Sequence, residues 1–262
     1  MDPLTFSELD GLAFAAQRGR FNPAGMGLIA NDIGPVFELG LLAKSGLLPW
    51  PGISSWLVVD GIQPLVTALS NRRHLWVCPK TRTTGVYRTY ATSRRDEPSW
   101  VEFGVATHFA AIQAGFARDV AAQLAGAIGE MQSNIYEHSQ ASRSGIVAFK
   151  ATPGMFEFVV CDRGIGVLQS LRSCPDYAEV PDHGQALTLA LSDGVSRFGA
   201  QIGRGLGFQP LFTGLANLDG TLRFRSGDYA LTIDGRNPGV IPAKLWQKPT
   251  IAGFLISVAC RC

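Results

Sequence analysis

Residues 155–166 read Met155-Phe156-Glu157-Phe158-Val159-Val160-Cys161-Asp162-Arg163-Gly164-Ile165-Gly166. The first seven are dominated by aromatic and β-branched side chains, the composition of a strand. A carboxylate at the strand end, followed by two glycines one residue apart, makes an acceptor beside a turn through which a ligand can approach the main chain. Asp-x-Gly-x-Gly is common by chance, so its meaning depends on what surrounds it. Immediately upstream, 145–151 reads as a second strand, and Thr152-Pro153-Gly154 is the turn of a hairpin.

Further upstream, 105–138 is Ala-rich and helical in pattern, with Phe109, Ile112, Phe116, Val120, Leu124, Ala127 and Ile128 expected in one stripe against a core. Towards the end of that stretch Glu130, Asn134 and His138 follow at i, i+4 and i+8 and share a face. A carboxylate, a carboxamide and an imidazole are costly to bury without partners, so something polar is expected over them. The plain alternative is a capped, partly exposed helix end near Ser139. Downstream come a short helix at 185–191, the loop Gly203-Arg204-Gly205-Leu206-Gly207-Phe208, a helix at about 206–218, and strands at 221–225, 229–234 and 251–259. Amides at the start of a helix suit phosphate. A P-loop would need Lys-Ser or Lys-Thr after its last glycine, and none occurs. The evenly spaced Gly203, Gly205 and Gly207 do not make the dinucleotide fingerprint either.

In the first hundred residues, helical patterns at 7–17 and 36–46 alternate with candidate strands at 54–59, 74–78 and 85–92. Arg72, Arg73, Lys80, Arg82, Arg88, Arg94 and Arg95 cluster there with Tyr87 and Tyr90. Basic groups with interleaved aromatics admit a nucleic-acid reading, and a solvated hairpin produces the same pattern. Glycine makes up 30 of the 262 residues, above the typical ~7%, and charged residues only 17%, below the typical ~25%. The chain favours backbone freedom over surface charge. A net charge of +2 with 46% hydrophobic residues excludes a disordered or generally polyanion-binding chain. No apolar run reaches the ~18 residues of a membrane helix, and the acidic Asp2, Glu8 and Asp10 make no secretory signal. No membrane association and a cytoplasmic location are therefore expected. None of the five cysteines forms a Cys-x-x-Cys pair, so packed thiols are expected rather than zinc.

In order and spacing, the segments around Asn134, Asp162 and Gly205 resemble the boxes of the GHKL superfamily of gyrase-type, chaperone, histidine kinase-like and mismatch-repair ATPases. The likeness spans roughly 105–260. It implies an α/β (α+β) Bergerat fold over 101–262, a two-layer sandwich of a mixed β-sheet and helices. A smaller N-terminal α/β region at 1–100 would precede it as a sensing or partner-binding module. The resemblance further implies Mg-ATP as ligand. Asp162 would accept from the adenine amino group while Gly164 and Gly166 let the backbone pass the base. Asn134 would hold Mg²⁺, Glu130 would act as general base, and His138 would line the site. Gly203, Arg204, Gly205, Leu206 and Gly207 would face the phosphates, 168–202 would be the ATP lid, and 219–234 the closing hairpin. Two positions depart from the family: Arg163 replaces a small polar residue, and the last strand lacks a Gly-Thr pair. His108 has no acidic neighbour, which disfavours self-phosphorylation on histidine. The implied activity is that of an ATPase or a protein kinase laid out like anti-sigma-type serine kinases. The alternatives are a nucleotide-gated binding module without turnover and a nucleic-acid-associated ATPase. A protein partner is expected, and a second copy of the chain is another expected partner.

Overall fold

The computed structural model describes residues 1–50, 56–90, 97–191, 219–235 and 243–262. Near the N-terminus, β1 (Asp2–Pro3), α1 (Phe6–Gln17), β2 (Leu28–Ala30), α2 (Ile33–Lys44) and β3 (Leu57–Val59) alternate, and the three strands pair in parallel in that order. Thr5 starts α1 by accepting the Glu8 amide on its hydroxyl at 3.2 Å. After α3 (Gln63–Ser70) the main sheet begins with β4 (Leu75–Val77) and β5 (Thr84–Arg88). It continues, after α4 (Pro98–Ala114) and α5 (Arg118–His138), with β6 (Ile146–Thr152) and β7 (Met155–Cys161). Helices α6 (Gly166–Arg172) and α7 (His183–Ala190) precede two long strands, β8 (Thr221–Asp234) and β9 (Lys244–Arg261).

The sheet order is β4-β5-β6-β7-β9-β8, and every neighbouring pair is antiparallel. The fold is thus mixed α/β, as expected. The mixed sheet implied by the resemblance is not what forms, because parallel pairing is confined to the small sheet. The six-stranded sheet also draws strands from both sides of residue 100, since β5 pairs with β6. The expected hairpin is present: Thr152 pairs with Met155 around Pro153-Gly154, and Gly154 takes φ +78°.

Both sheet faces are buried, one under α4 and α5 and the other under the N-terminal region. Phe156, Phe158 and Val160 of β7 point into a core shared with α4 and α5, while Val159 and Cys161 join a second core with α1, α2 and α3. A strand that is apolar on both sides needs cover on both sides. The N-terminal layer supplies it, and buried charges fasten it there. Glu38 in α2 is fully buried, taking Arg223 Nε at 2.6 Å and Arg225 Nη1 at 2.6 Å, while Asp10 in α1 takes Arg223 Nη2 at 2.6 Å. Burial alone would raise the Glu38 pKa, but the two guanidinium groups more than offset it and hold the carboxyl below its usual range. Across the sheet, Lys150 Nζ bonds Glu157 at 2.7 Å and the Asn31 carbonyl at 2.8 Å.

The helix expected over 105–138 is two helices. Gly115, at φ +114°, ends α4 in the left-handed region, where glycine carries no Cβ penalty. The stripe is corrected with it: Phe116, Leu124 and Ile128 are buried, but Phe109 is 56% exposed and lies with Val101 and Val105 on the outer side of α4. The strands expected at 221–225 and 229–234 are one strand, β8, with register shifts at Gly227. Among the described residues no helix is long and apolar enough to cross a membrane.

Candidate functional site

Alternation along β7 fixes the side on which Asp162 emerges. Phe158 and Val160 face the α4–α5 core, so two residues on, Asp162 extends the same face at the strand end. Its amide donates to the Phe254 carbonyl at 3.1 Å and its Oδ1 accepts the Gly164 amide at 2.7 Å. The residue is only 1% exposed, and Oδ2 is buried with no hydrogen-bond partner among the described residues. Burial pushes the carboxyl up to about 7, partly offset by the Gly164 and Phe254 amides. A desolvated carboxylate oxygen without a donor is a feature native cores rarely keep without a use.

The glycines around it are required by contact. A Cβ on Gly164 would overlap the Ser139 carbonyl, which also accepts the Ile165 amide at 3.0 Å. The turn is therefore pressed against the C-terminus of α5. Gly166 opens α6 at φ +75°, and the next amide, that of Val167, donates to Ser226 Oγ at 2.9 Å. Ser226 Oγ in turn donates to the Gly253 carbonyl at 3.0 Å. Gly253 has φ +72°, and a Cβ there would come within 2.5 Å of Asp162 Oδ1. The bulged middle of β8 and β9 thus forms the far wall beside Asp162. Ser226 and Gly253 were missed in the sequence. A glycine inside a strand pattern, Ile251-Ala252-Gly253-Phe254, was the signal of close backbone approach that could have found them.

On α5, Ala121, Leu124, Ile128, Met131 and Ile135 face the sheet, and Glu130, Asn134 and His138 follow the flanking stripe. His138 Nδ1 lies 3.1 Å from Ser170 Oγ on α6, which ties the end of α5 to the helix that follows the Asp162 turn. Asn134 is half-buried, and among the described residues its Nδ2 reaches Met131 Sδ at 4.0 Å. Glu130 is exposed, one helical turn before Asn134. Around Ser139 and Ser170 the structure brings the end of the α5 box and the Asp162 turn together. Gly203, Arg204, Gly205, Leu206 and Gly207, with the helix expected at 206–218, lie outside the described residues. Of the expected lid, 168–191 is described. It runs through α6 and α7, with Gly184 closely packed against Tyr229 and Leu245.

Chemically, the Asp162 carboxylate can accept one donor on Oδ2 while Gly164 occupies Oδ1. An amino group adjoining a flat ring is such a donor, and the close contacts of Gly164 with Ser139 and of Gly253 with Asp162 bound the turn on both sides. Among the described residues no group of three or more His, Cys, Asp or Glu side chains could hold a metal ion. Asn134 alone would offer a divalent ion one side-chain oxygen, so such an ion would need its other ligands from elsewhere. No model of a known protein family and no curated protein matches the chain.

Proposed function

We propose that the chain binds Mg-ATP at the Asp162 turn in the manner of GHKL ATPases. The observation that carries this reading is the buried Asp162 Oδ2 without a donor, set between Gly164 and Gly253. Asp162 accepts the adenine amino group, Gly164 and Gly166 let the ring lie along the main chain, and Asn134 places one oxygen on the magnesium. His138, linked to Ser170, lines the same side. Gly203, Arg204, Gly205, Leu206 and Gly207 complete the proposal on the phosphate side. Glu130 orients water or a protein hydroxyl for transfer, making the chain an ATPase or a protein kinase acting on a protein partner in the cytoplasm.

Calorimetric titration with Mg-ATP tests the reading. Wild type binds, and Asp162→Asn, which turns an acceptor into a donor, loses at least tenfold in ATP affinity. Equal affinity in both refutes it. Product analysis then separates hydrolysis from transfer.

A nucleotide-gated binding module without turnover is favoured by one observation: Glu130 is exposed, and no hydrogen bond holds it among the described residues. On that reading Glu130→Gln keeps partner affinity and Asn134→Ala loses it. Equal loss in both counts against it.

A further inference from the structure

Of the basic residues that the sequence runs together, Arg94 and Arg95 lie outside the described residues, and the fold divides the others. Lys80 and Arg82 lie in the turn joining β4 to β5, whereas Arg72 and Arg88 lie at the opposite end of that hairpin. There the Leu69 carbonyl, at the C-terminal end of α3, accepts both the Arg72 amide at 3.1 Å and Arg88 Nη2 at 2.7 Å. One oxygen therefore holds the two residues side by side. The sheet register brings a third: Arg88 pairs with Ile146 and Ile146 with Cys161, so these three form a row across the sheet. At about 4.8 Å per strand, the row spans about 10 Å. Arg163 follows Cys161 by two residues, and its amide is fixed on Ser144 Oγ at 3.0 Å. By alternation it continues the face of Arg88 and Cys161, the side of the N-terminal layer, opposite to Asp162.

Arg72 and Arg163 thus lie near enough to Arg88 to act on its charge, and little balances the three. Among the described residues none of Arg72, Arg88 and Arg163 makes an ion pair. Burial disfavours the charge on Arg88, and Arg72 and Arg163 push in the same direction. Arg72 sits at φ +53°, a left-handed conformation that a non-glycine residue adopts at some cost. The Leu69 contact explains Arg88 as a cap on α3, but among the described residues no side-chain hydrogen bond or ion pair holds Arg72 or Arg163. Planar forks gathered at one point match a compact oxyanion, since guanidinium binds phosphate oxygens in pairs. A nucleic-acid backbone would instead call for the continuous basic stripe that the fold has broken up.

We propose that Arg72, Arg88 and Arg163 form a phosphoryl-anion site on the sheet face opposite to Asp162, taking a phosphorylated side chain of a protein partner or free phosphate. Because Arg163 stands between Asp162 and Gly164, an anion held there also bears on the turn that positions Asp162. The site itself does not depend on ATP binding.

The test titrates the full chain with inorganic phosphate and with a phosphoserine peptide of otherwise neutral composition, using wild type, the Arg72→Ala/Arg163→Ala double variant and Asp162→Asn. Wild type and Asp162→Asn bind alike. The double variant loses at least tenfold in affinity while its own Tm stays within about 2 °C of wild type, as expected for exposed side chains. Arg163→Gln alone gives an intermediate loss, which keeps the test valid should the double variant misfold. Tighter binding of the peptide than of phosphate identifies a partner-borne group, and equal binding a free anion. No binding at millimolar phosphate, or unchanged affinity in the double variant, overturns the proposal. So does a short DNA duplex that binds tighter than the peptide and is lost in the double variant, because it assigns these arginines to nucleic acid.

Discussion

Replacing Asp162 by asparagine separates a structural aspartate from one held ready for a ligand. In the folded chain its carboxyl is raised from 3.8 to about 7, chiefly by burial. The folded state therefore keeps a proton that the unfolded state releases. The associated stability is complete below pH 3.8 and is lost as pH rises through about 7. The full rise corresponds to about 4 kcal/mol at about 1.4 kcal/mol per pH unit. Between pH 5 and pH 8, where the unfolded carboxyl is already ionised, about 2–3 kcal/mol of it is lost. Asparagine does not titrate and keeps the Gly164 bond, while its amide is as unmatched as the protonated acid. Asp162→Asn is therefore more stable than wild type in the absence of ligand, and the gap in Tm widens by about 5–10 °C from pH 5 to pH 8, at about 2–4 °C per kcal/mol for a chain of this size. Thermal unfolding followed by circular dichroism over that range measures it. A variant less stable than wild type at pH 8, or a gap that does not change with pH, refutes the reasoning, because Asp162 would then be stabilised by its surroundings.

Further outcomes follow from the packing elsewhere in the chain. Glu38→Gln leaves Arg223 and Arg225 facing each other in the interior and costs about 3–5 kcal/mol, a fall of about 10 °C in Tm. The Glu38 contribution is present above pH 4.5 and fades as pH falls, and a change in Tm under 3 °C contradicts this. Gly164→Ala drives a Cβ into the Ser139 carbonyl, so it lowers Tm and weakens ATP binding together, as denaturation and titration of one preparation read; binding at wild-type strength refutes the contact. Burial raises the Cys78 thiol pKa, but hydrogen bonds from Thr81, Lys80 and Arg82 outweigh it, so alkylation of Cys78 has a midpoint below 9.0. Burial pushes Cys260 up to about 12, and it stays unlabelled in the folded chain; mass spectrometry of peptides after timed labelling reports both.

What could be read from the sequence was local. The β6–β7 hairpin, the apolar stripe from Phe116 into α5 and the Asp162 turn each rest on one short continuous stretch of chain, and each is where the pattern put it. The break at Gly115 was hidden because the apolar spacing runs through it, and only the left-handed glycine reveals it. The second layer was hidden for a different reason. Glu38 stands in a helix that is otherwise almost wholly apolar, and its partners Arg223 and Arg225 lie far away in sequence, so nothing local shows that the three meet in the interior. The same holds for Gly253 beside Asp162 and for Arg163 beside Arg88, which only strand register brings together. Glu130, Asn134 and His138 were found by their helical spacing, yet their differing exposure depends on how α5 rolls against the sheet.

The central claim is that Asp162 receives the base of a nucleotide. A crystal structure of the chain with a non-hydrolysable ATP analogue and magnesium tests it most directly. The expected result is the adenine amino group at about 3 Å from Asp162 Oδ2, the ring against Gly164 and Gly253, and the Asn134 side-chain oxygen on the metal. A nucleotide bound elsewhere, or an Asp162 Oδ2 still without a donor in a nucleotide-saturated crystal, contradicts it.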